Sequence, residues 1–569
     1  MPEANLFEMT KLSTVRIGRI SGAALKTLAL AMRAPGLRDV VAHAVRRDLG
    51  IDRALALPSR LRGPLPESQA PLRARLERER TSEHLGPPGL PASWPRTSGA
   101  YLRAFAEGKK TPDAVSRRAL AAARSLALET SQGPFCDYLD ERARAASAES
   151  AERLSSGAPR LLEGVPVAVK EELDLASAAT RLGTGFMPYF RAQKDALAVA
   201  RLVDAGAIPI AQTPMTEYGM SPLGVNPHRR MPRNAHDAGR LAGGSSTGSA
   251  VAVALGLVPI AVGTDGGGSI RIPAAYNGIF GLKPTYGRIP LLGHGSPGTT
   301  SVVHAGALAG SSTDLALATG IMSGPAKEDA LSELQPKLAE LELFEALGRG
   351  VRGLKIGVPE SEWRAADPDV ERLGSAALAA LERAGAELVP LSLELACHAP
   401  AIGYLTIALE AHAALRDVRR EHLSALGYDL QVLLSGLDAF HVDDYLDAQR
   451  LRSALRVELR DALLAVDVIA LPSTANTAPP VTDAEAQSGI IDPEALAAAC
   501  RFAFLANLTG LPAVSIPVGL AGDAMPVGLQ IVGDAWDEAS VLQVAAHLER
   551  EGVARVVKPA RAVDLLDEA

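Results

Sequence analysis

Two glycine- and serine-rich segments flanking a short apolar helix constrain this chain more than any other feature. The first, Gly243-Gly244-Ser245-Ser246-Thr247-Gly248-Ser249, leads into a predicted helix over Ala250–Leu255. A predicted strand, Pro259–Val262, then delivers the second, Gly263-Thr264-Asp265-Gly266-Gly267-Gly268-Ser269-Ile270-Arg271-Ile272-Pro273. Gly/Ser runs are ordinarily flexible linkers. These two sit between VAVALGLVPIAV and IPAAYNGIFGL, and a linker is not bracketed by core on both sides. A buried loop must satisfy every backbone polar group, so such loops are usually built for a purpose.

The residue types suggest one. Glycines let the backbone approach a ligand and aim successive N–H groups at one point. Such a nest stabilises the oxyanion formed when a hydroxyl attacks a carbonyl, and one lost donor costs about 2.7–4 kcal/mol. A serine closing the nest is a candidate nucleophile and needs a base. Neither segment holds a histidine, which leaves a lysine neutralised by burial. The apolar run Val165–Val169 ends at Lys170 and reads as a buried strand delivering that lysine to the interior. Its pKa must fall from about 10.4 towards 7, within the reach of burial. Gly244-Ser245-Ser246-Thr247-Gly248 also matches GxSxG, but that elbow needs a strand immediately before it, and residues 234–242 read as loop.

Elsewhere the pattern is that of an α/β protein. Helices are predicted at Ala100–Ala106, Asp113–Leu128, Leu139–Leu154 and Ala196–Ala205, with strands at Ile208–Ala211, Val466–Leu471, Ala513–Val518 and Pro526–Val532. The span of about 320–460 is mostly helical in pattern and motif-poor. The first fifty residues carry eight Lys and Arg against four Asp and Glu, and Ala24, Leu25, Leu28, Ala31 and Met32 recur at helical spacing. A second helix follows through Leu37, Val40, Val41, Ala44 and Val45. Basic amphipathic helices suit an anionic membrane surface or packing on the body or on a second subunit. Residues 58–98 read as a connector with one charged helix near 70–82.

Composition excludes several classes. With 47% hydrophobic and 22% charged residues the chain is neither disordered nor a membrane bundle, and no apolar run approaches the roughly 18 residues that span a bilayer. The net charge of −7 gives no electrostatic case for nucleic acid. Cys136, Cys397 and Cys500 stand too far apart in sequence for a CxxC pair and read as isolated thiols in a reducing compartment. HExxH, P-loop and EF-hand patterns are missing, so no metal or cofactor is expected. The first residues lack the pattern of a signal peptide, so a cytoplasmic protein is expected, with membrane association through the basic helices as the alternative.

The stretch LAGGSSTGSAVAVALGLVPIAVGTDGGGSIRIPAAYNGIFGLKPTYGRIP closely resembles the defining region of the amidase signature family. GVPVAVKEELD and TPMTEYG resemble its lysine strand and a substrate-side loop; NLTGLPAVSIPVG and PVGLQIVG resemble its C-terminal strands. The likeness covers about 160–320 and 465–550. It implies one α/β/α domain around a large mixed β-sheet flanked by helices, and a Ser–cisSer–Lys triad. Carried over, Ser269 is the nucleophile, Ser245 the bridging serine in a cis peptide and Lys170 the base. The N–H groups of Gly266, Gly267, Gly268 and Ser269 would form the oxyanion hole, and Gly219 would line the acyl site. Asp265 and Arg271 would support the loop as a pair, and Ser246 would bond behind the triad. Thr247 departs from the family's usual Gly or Ser.

Within the family, RISGAALKTLALAMRAPGLRDVVAHAVRRDLGI, GVNPHRRMPRN and VGTDGGGSIRIPAA are most similar to plant-type fatty acid amide hydrolases. That kinship implies an N-acyl amide with an apolar acyl chain, hydrolysed through an acyl-enzyme, and puts the basic helices beside the acyl channel. The expected organisation is a helical extension and connector over 1–94 and a catalytic domain over 95–569, with 320–460 walling the pocket. The family also suggests a homodimer. Two other readings stay open: a glutamine amidotransferase subunit of the tRNA-dependent type, and an amidase for aryl or small polar amides. A non-catalytic binding protein would not need Lys170, Ser245 and Ser269 together.

Overall fold

The structure, a computed structural model, describes residues 18–66, 68–75, 94–129, 133–187, 191–295, 301–339 and 342–567. Eleven strands form one mixed sheet: β1 (Asp137–Tyr138), β2 (Pro166–Lys170), β3 (Ile208–Thr213), β4 (Ile260–Asp265), β5 (Phe280–Lys283), β6 (His304–Ala309), β7 (Lys355–Val358), β8 (Glu387–Pro390), β9 (Val468–Pro472), β10 (Ala513–Leu520) and β11 (Pro526–Gly533). Their spatial order is β1-β3-β2-β4-β6-β5-β10-β11-β9-β7-β8. Strands β3, β2 and β4 run parallel, with Val167 facing Ile260 and Val169 facing Val262 in register. All three are buried along their whole length. That is why they read as unbroken Val/Ile/Ala runs without alternation. In open α/β sheets ligands bind beyond the carboxyl ends of such strands, and Lys170 and Asp265 are the last residues of β2 and β4.

Helices cover the sheet. Thr247–Ala254 is buried on every side, as its Ala/Val sequence requires. Pro368–Arg383 buries Val370, Gly374, Ala377, Leu378 and Leu381, a single stripe at helical spacing. That helix joins β7 to β8, which pair in parallel and lie inside the span whose pattern reads as helical. The two strands are four residues each and begin on exposed Lys355 and Glu387, so their periodicity is too short and too polar to register. Residues 70–75 are irregular, not helical, and the remainder of the connector helix expected near 70–82 falls outside the described residues.

The N-terminal helices α1 (Gly22–Ala31) and α2 (Pro35–Asp48) lie on the body of the protein. Leu25, Ala29 and Met32 bury against Val432 of the helix Tyr428–Gly436. Their arginines meet acids there: Arg38 with Asp438 at 2.8 Å and Arg46 with Asp444 at 2.9 Å. Just before α1, Ile20–Ser21 pairs as a short strand with Ile490–Ile491, and Arg19 bonds Glu485. Among the described residues no helix is long and apolar enough to cross a membrane.

Two carboxyl groups, buried Asp314 and part-buried Glu549, make stability depend on pH. Burial pushes Asp314 up to about 6 although Ser98 donates to it, and pushes Glu549 up to about 7 although Ser312 donates to it. Both values are raised, so their stabilisation is complete below the ordinary carboxyl range of about 4 and is lost as pH climbs through 6 and 7. The melting temperature should therefore fall between pH 5 and pH 8, and less so in Asp314→Asn/Glu549→Gln. A wild-type melting temperature that rises across that window contradicts the assignment.

Candidate active site

Lys170 leaves the end of β2 with no exposed surface. Its Nζ lies 2.8 Å from Ser245 Oγ, 2.6 Å from Thr264 Oγ1 and 2.8 Å from Glu172 Oε2. The Gly244–Ser245 peptide is cis. Ser246 begins the helix Thr247–Ala254 and stitches it to β4: its Oγ donates to the Thr264 carbonyl at 3.1 Å and accepts the Thr264 N–H at 3.3 Å. The Ser246 N–H donates to the Ser269 carbonyl at 3.2 Å, so this residue joins the segment bearing Ser245 to the one bearing Ser269. Gly219 closes on the same place with φ +69°, and a Cβ there would lie 3.3 Å from Ser245 Oγ.

The turn after β4 is held from inside by Asp265. Its carboxylate accepts the N–H groups of Gly268 at 2.7 Å and Ile270 at 3.1 Å, and both arms of Arg271 at 2.9 and 3.0 Å. Arg271 is fully buried and spends its remaining donors on Ala503 O, Gln530 Oε1 and Asn507 Oδ1. Burial alone would raise the Asp265 carboxyl, but the charge and hydrogen bonds of Arg271, with Lys283 and Asn507, hold it well below the usual carboxylate range. One expectation is corrected here. The Gly268 N–H points inward to Asp265, because the buried carboxylate needs donors, and is not offered to a substrate. Gly267 admits no side chain, since a Cβ would stand 2.5 Å from the Phe504 ring.

Ser269, Gly267 and Gly219 border a cavity of about 300 Å³. Leu28, Val41, Val45 and Leu49 enter its wall from the N-terminal segment, and Tyr404, Leu430, Leu433 and Phe440 from the later helical region. Among the described residues of 320–396 none lines that wall; the lining from the span expected to wall a pocket comes from its second part.

Sequence reasoning passed over Glu172, Thr264 and His294. Glu172 turns inward beside Lys170, accepts a hydrogen bond from the Thr264 hydroxyl, and has His294 Nε2 3.2 Å from its other oxygen. Burial pushes the Glu172 carboxyl up, but Lys170 and His294 outweigh it and leave the group far below the usual range. The only signal in the chain was the acid two places after the lysine. Among the described residues no group of three or more His, Cys, Asp or Glu could hold a metal.

A model of the amidase family matches residues 119–542, most of the chain. The protein belongs to the amidase family. It is an amide-hydrolysing serine enzyme of the amidase signature type. The fatty acid amide hydrolase of Medicago truncatula is 33% identical to this amidase over 460 residues, 79% of this chain and 75% of its own. The A-subunit of the glutamyl-tRNA(Gln) amidotransferase of Halorhodospira halophila is 37% identical over 434 residues, 71% of this chain and 87% of its own. Among solved structures, that of an amidase superposes with a TM-score of 0.69 at 32% identity, covering 80% of this chain and all of that one.

Proposed function

We propose that this amidase hydrolyses N-acyl amides with an apolar acyl chain, through an acyl-enzyme on Ser269. One observation carries the reading: a buried lysine in contact with Ser245 lies behind a glycine loop whose Ser269 borders an apolar-walled cavity. In the first step Ser269 Oγ bonds to the amide carbon while its proton passes to Ser245 Oγ, and the Ser245 proton passes to neutral Lys170 Nζ. The carbonyl electron pair becomes an oxyanion, met by the N–H groups of Gly266, Gly267 and Ser269. On collapse the carbon–nitrogen bond breaks, and the proton returns from Lys170 through Ser245 to the departing amine. Water then takes the amine's place, and the same relay releases the acid and restores Ser269.

The apolar residues that the N-terminal helices and residues 404–440 send into the cavity support the acyl-chain preference. We read 95–569 as the catalytic unit and 1–94 as an extension that closes its cavity. The test is labelling of the purified full chain by a fluorophosphonate, read by intact mass, followed by hydrolysis of acyl amides of increasing chain length. One adduct, lost in Ser269→Ala, with rates that climb with chain length, is expected. Labelling that survives Ser269→Ala overturns the nucleophile, and a flat chain-length series overturns the substrate class.

The 37% identity to the Halorhodospira halophila protein favours a second reading, a glutamine amidotransferase component that hands ammonia to a partner chain. Efficient partner-free hydrolysis of long-chain amides, beside negligible turnover of glutamine, excludes it.

A further inference from the structure

We infer that Glu172 is the positioning residue of the proton relay: its carboxylate aims the Lys170 lone pair at Ser245 and steadies the ammonium that Lys170 becomes on taking the proton. This rests on the reading of Lys170 as the base. Three oxygens surround Nζ: Ser245 Oγ at 2.8 Å, Thr264 Oγ1 at 2.6 Å and Glu172 Oε2 at 2.8 Å. A neutral amine has two N–H groups and one lone pair. An ionised carboxylate only accepts, so Glu172 must receive one N–H. The Thr264 hydroxyl gives its proton to Glu172, so it too can only accept from Nζ, and it takes the second N–H. The lone pair is left facing Ser245, the group that must hand over a proton.

Once the proton arrives, an ammonium exists at a site with no exposed surface, where an uncompensated charge is severely unfavourable. Glu172 supplies the counter-charge, and His294 Nε2 lies 3.2 Å from its second oxygen. The remaining charged neighbours are committed elsewhere. Glu171 pairs with Arg229 at 3.0 Å and accepts the Met215 N–H, while Asp265 on β4 is bound to Arg271. The arrangement does for a lysine base what a carboxylate does for the histidine of a Ser-His-Asp triad.

The same carboxylate already stands 2.8 Å from Nζ before reaction, so removing its charge should change the pH range over which Ser269 is labelled. The experiment is the rate of fluorophosphonate labelling of Ser269 against pH, in the full chain, for wild type, Glu172→Gln, Glu172→Asp and Lys170→Ala. Glu172→Gln should move the acidic limb down by at least about one pH unit and lower the plateau by about tenfold or more. Glu172→Asp, with its charge withdrawn by one methylene, should move the limb the same way by less, and it decides the matter if Glu172→Gln does not fold. A limb that stays in place, even with a lower plateau, means that Glu172 only supports the structure, and the inference fails. Labelling of Lys170→Ala at the wild-type rate overturns the base assignment instead, so the two failures are distinct.

Discussion

Ser269→Ala should abolish amide hydrolysis, lowering kcat by about 10⁵–10⁶, and Lys170→Ala should lower kcat/KM by about 10²–10⁴. The two differ because they remove different things. Without Ser269 Oγ no acyl-enzyme forms, and what survives is attack by water on an amide held in the cavity. Without Lys170 the nucleophile remains, but the Ser269 proton has no acceptor beyond Ser245. Residues that act as one unit are strongly non-additive, so the double variant should be no slower than Ser269→Ala alone. Lys170→Ala carries a second consequence. It strips Glu172 of the cation 2.8 Å away and leaves a carboxylate buried beside His294. Breaking a buried pair in this way costs about 3–5 kcal/mol. Lys170→Ala/Glu172→Gln should recover much of that stability and none of the rate, which separates folding from chemistry. Steady-state kinetics on material shown to be folded by circular dichroism decides it. A Ser269→Ala enzyme within tenfold of wild type would refute the nucleophile.

Arg271→Met should be the most damaging substitution to the fold. The guanidinium and the Asp265 carboxylate both have no exposed surface, and Arg271 ties Asp265 to Ala503, Asn507 and Gln530 on β11. Methionine fills a similar volume and makes none of these bonds. Asp265 is then buried with Gly268, Ile270 and Asn507 as donors and no paired guanidinium. The expected loss of about 3–5 kcal/mol is a large share of the 5–15 kcal/mol that typically separates native from unfolded protein. Asp265→Asn added to Arg271→Met should return part of it, because a neutral amide can keep accepting from the turn without a buried charge. Activity should stay low in both, since the turn carrying Gly266–Ser269 is shaped by that carboxylate. Urea unfolding gives the measurement, and a single variant within about 1 kcal/mol of wild type would show the pair to be dispensable.

How far the chain could be read depended on the range of the interaction. Lys170, Ser245 and Ser269 lie beside signals of their own: a Val/Ala strand for the first and glycine turns for the others. Asp265 and Arg271 stand six positions apart on one turn, and it was the family resemblance that implied their pairing. Glu172 was not visible, because two glutamates after a strand look like solvated charge, and only the folded surroundings bury both of them. His294, Asn507 and Gln530 reach the site from far along the chain, with no local pattern to announce them. The Gly268 N–H faces Asp265 for a reason that is geometric, and a run of three glycines does not say which amide faces where. For the N-terminal helices, amphipathicity showed that a partner was needed; the acids at 438 and 444 that receive their arginines belong to a surface formed only by folding.

The pairing of Ile20–Ser21 with Ile490–Ile491 also fixes when the enzyme can exist. The amide of Gly22 donates to Ser488 Oγ across 466 positions, and Ile20 and Ile490 border the cavity together. A ribosome delivers the first of these long before the second. Contacts of such wide sequence separation form late, after the loop between them has been organised. Helices α1 and α2 therefore emerge with their apolar faces uncovered and wait until Ser488, 466 positions after Gly22, has followed. The nascent chain thus carries an incomplete cavity until Ile490 and the lining residues through Phe504 have left the tunnel.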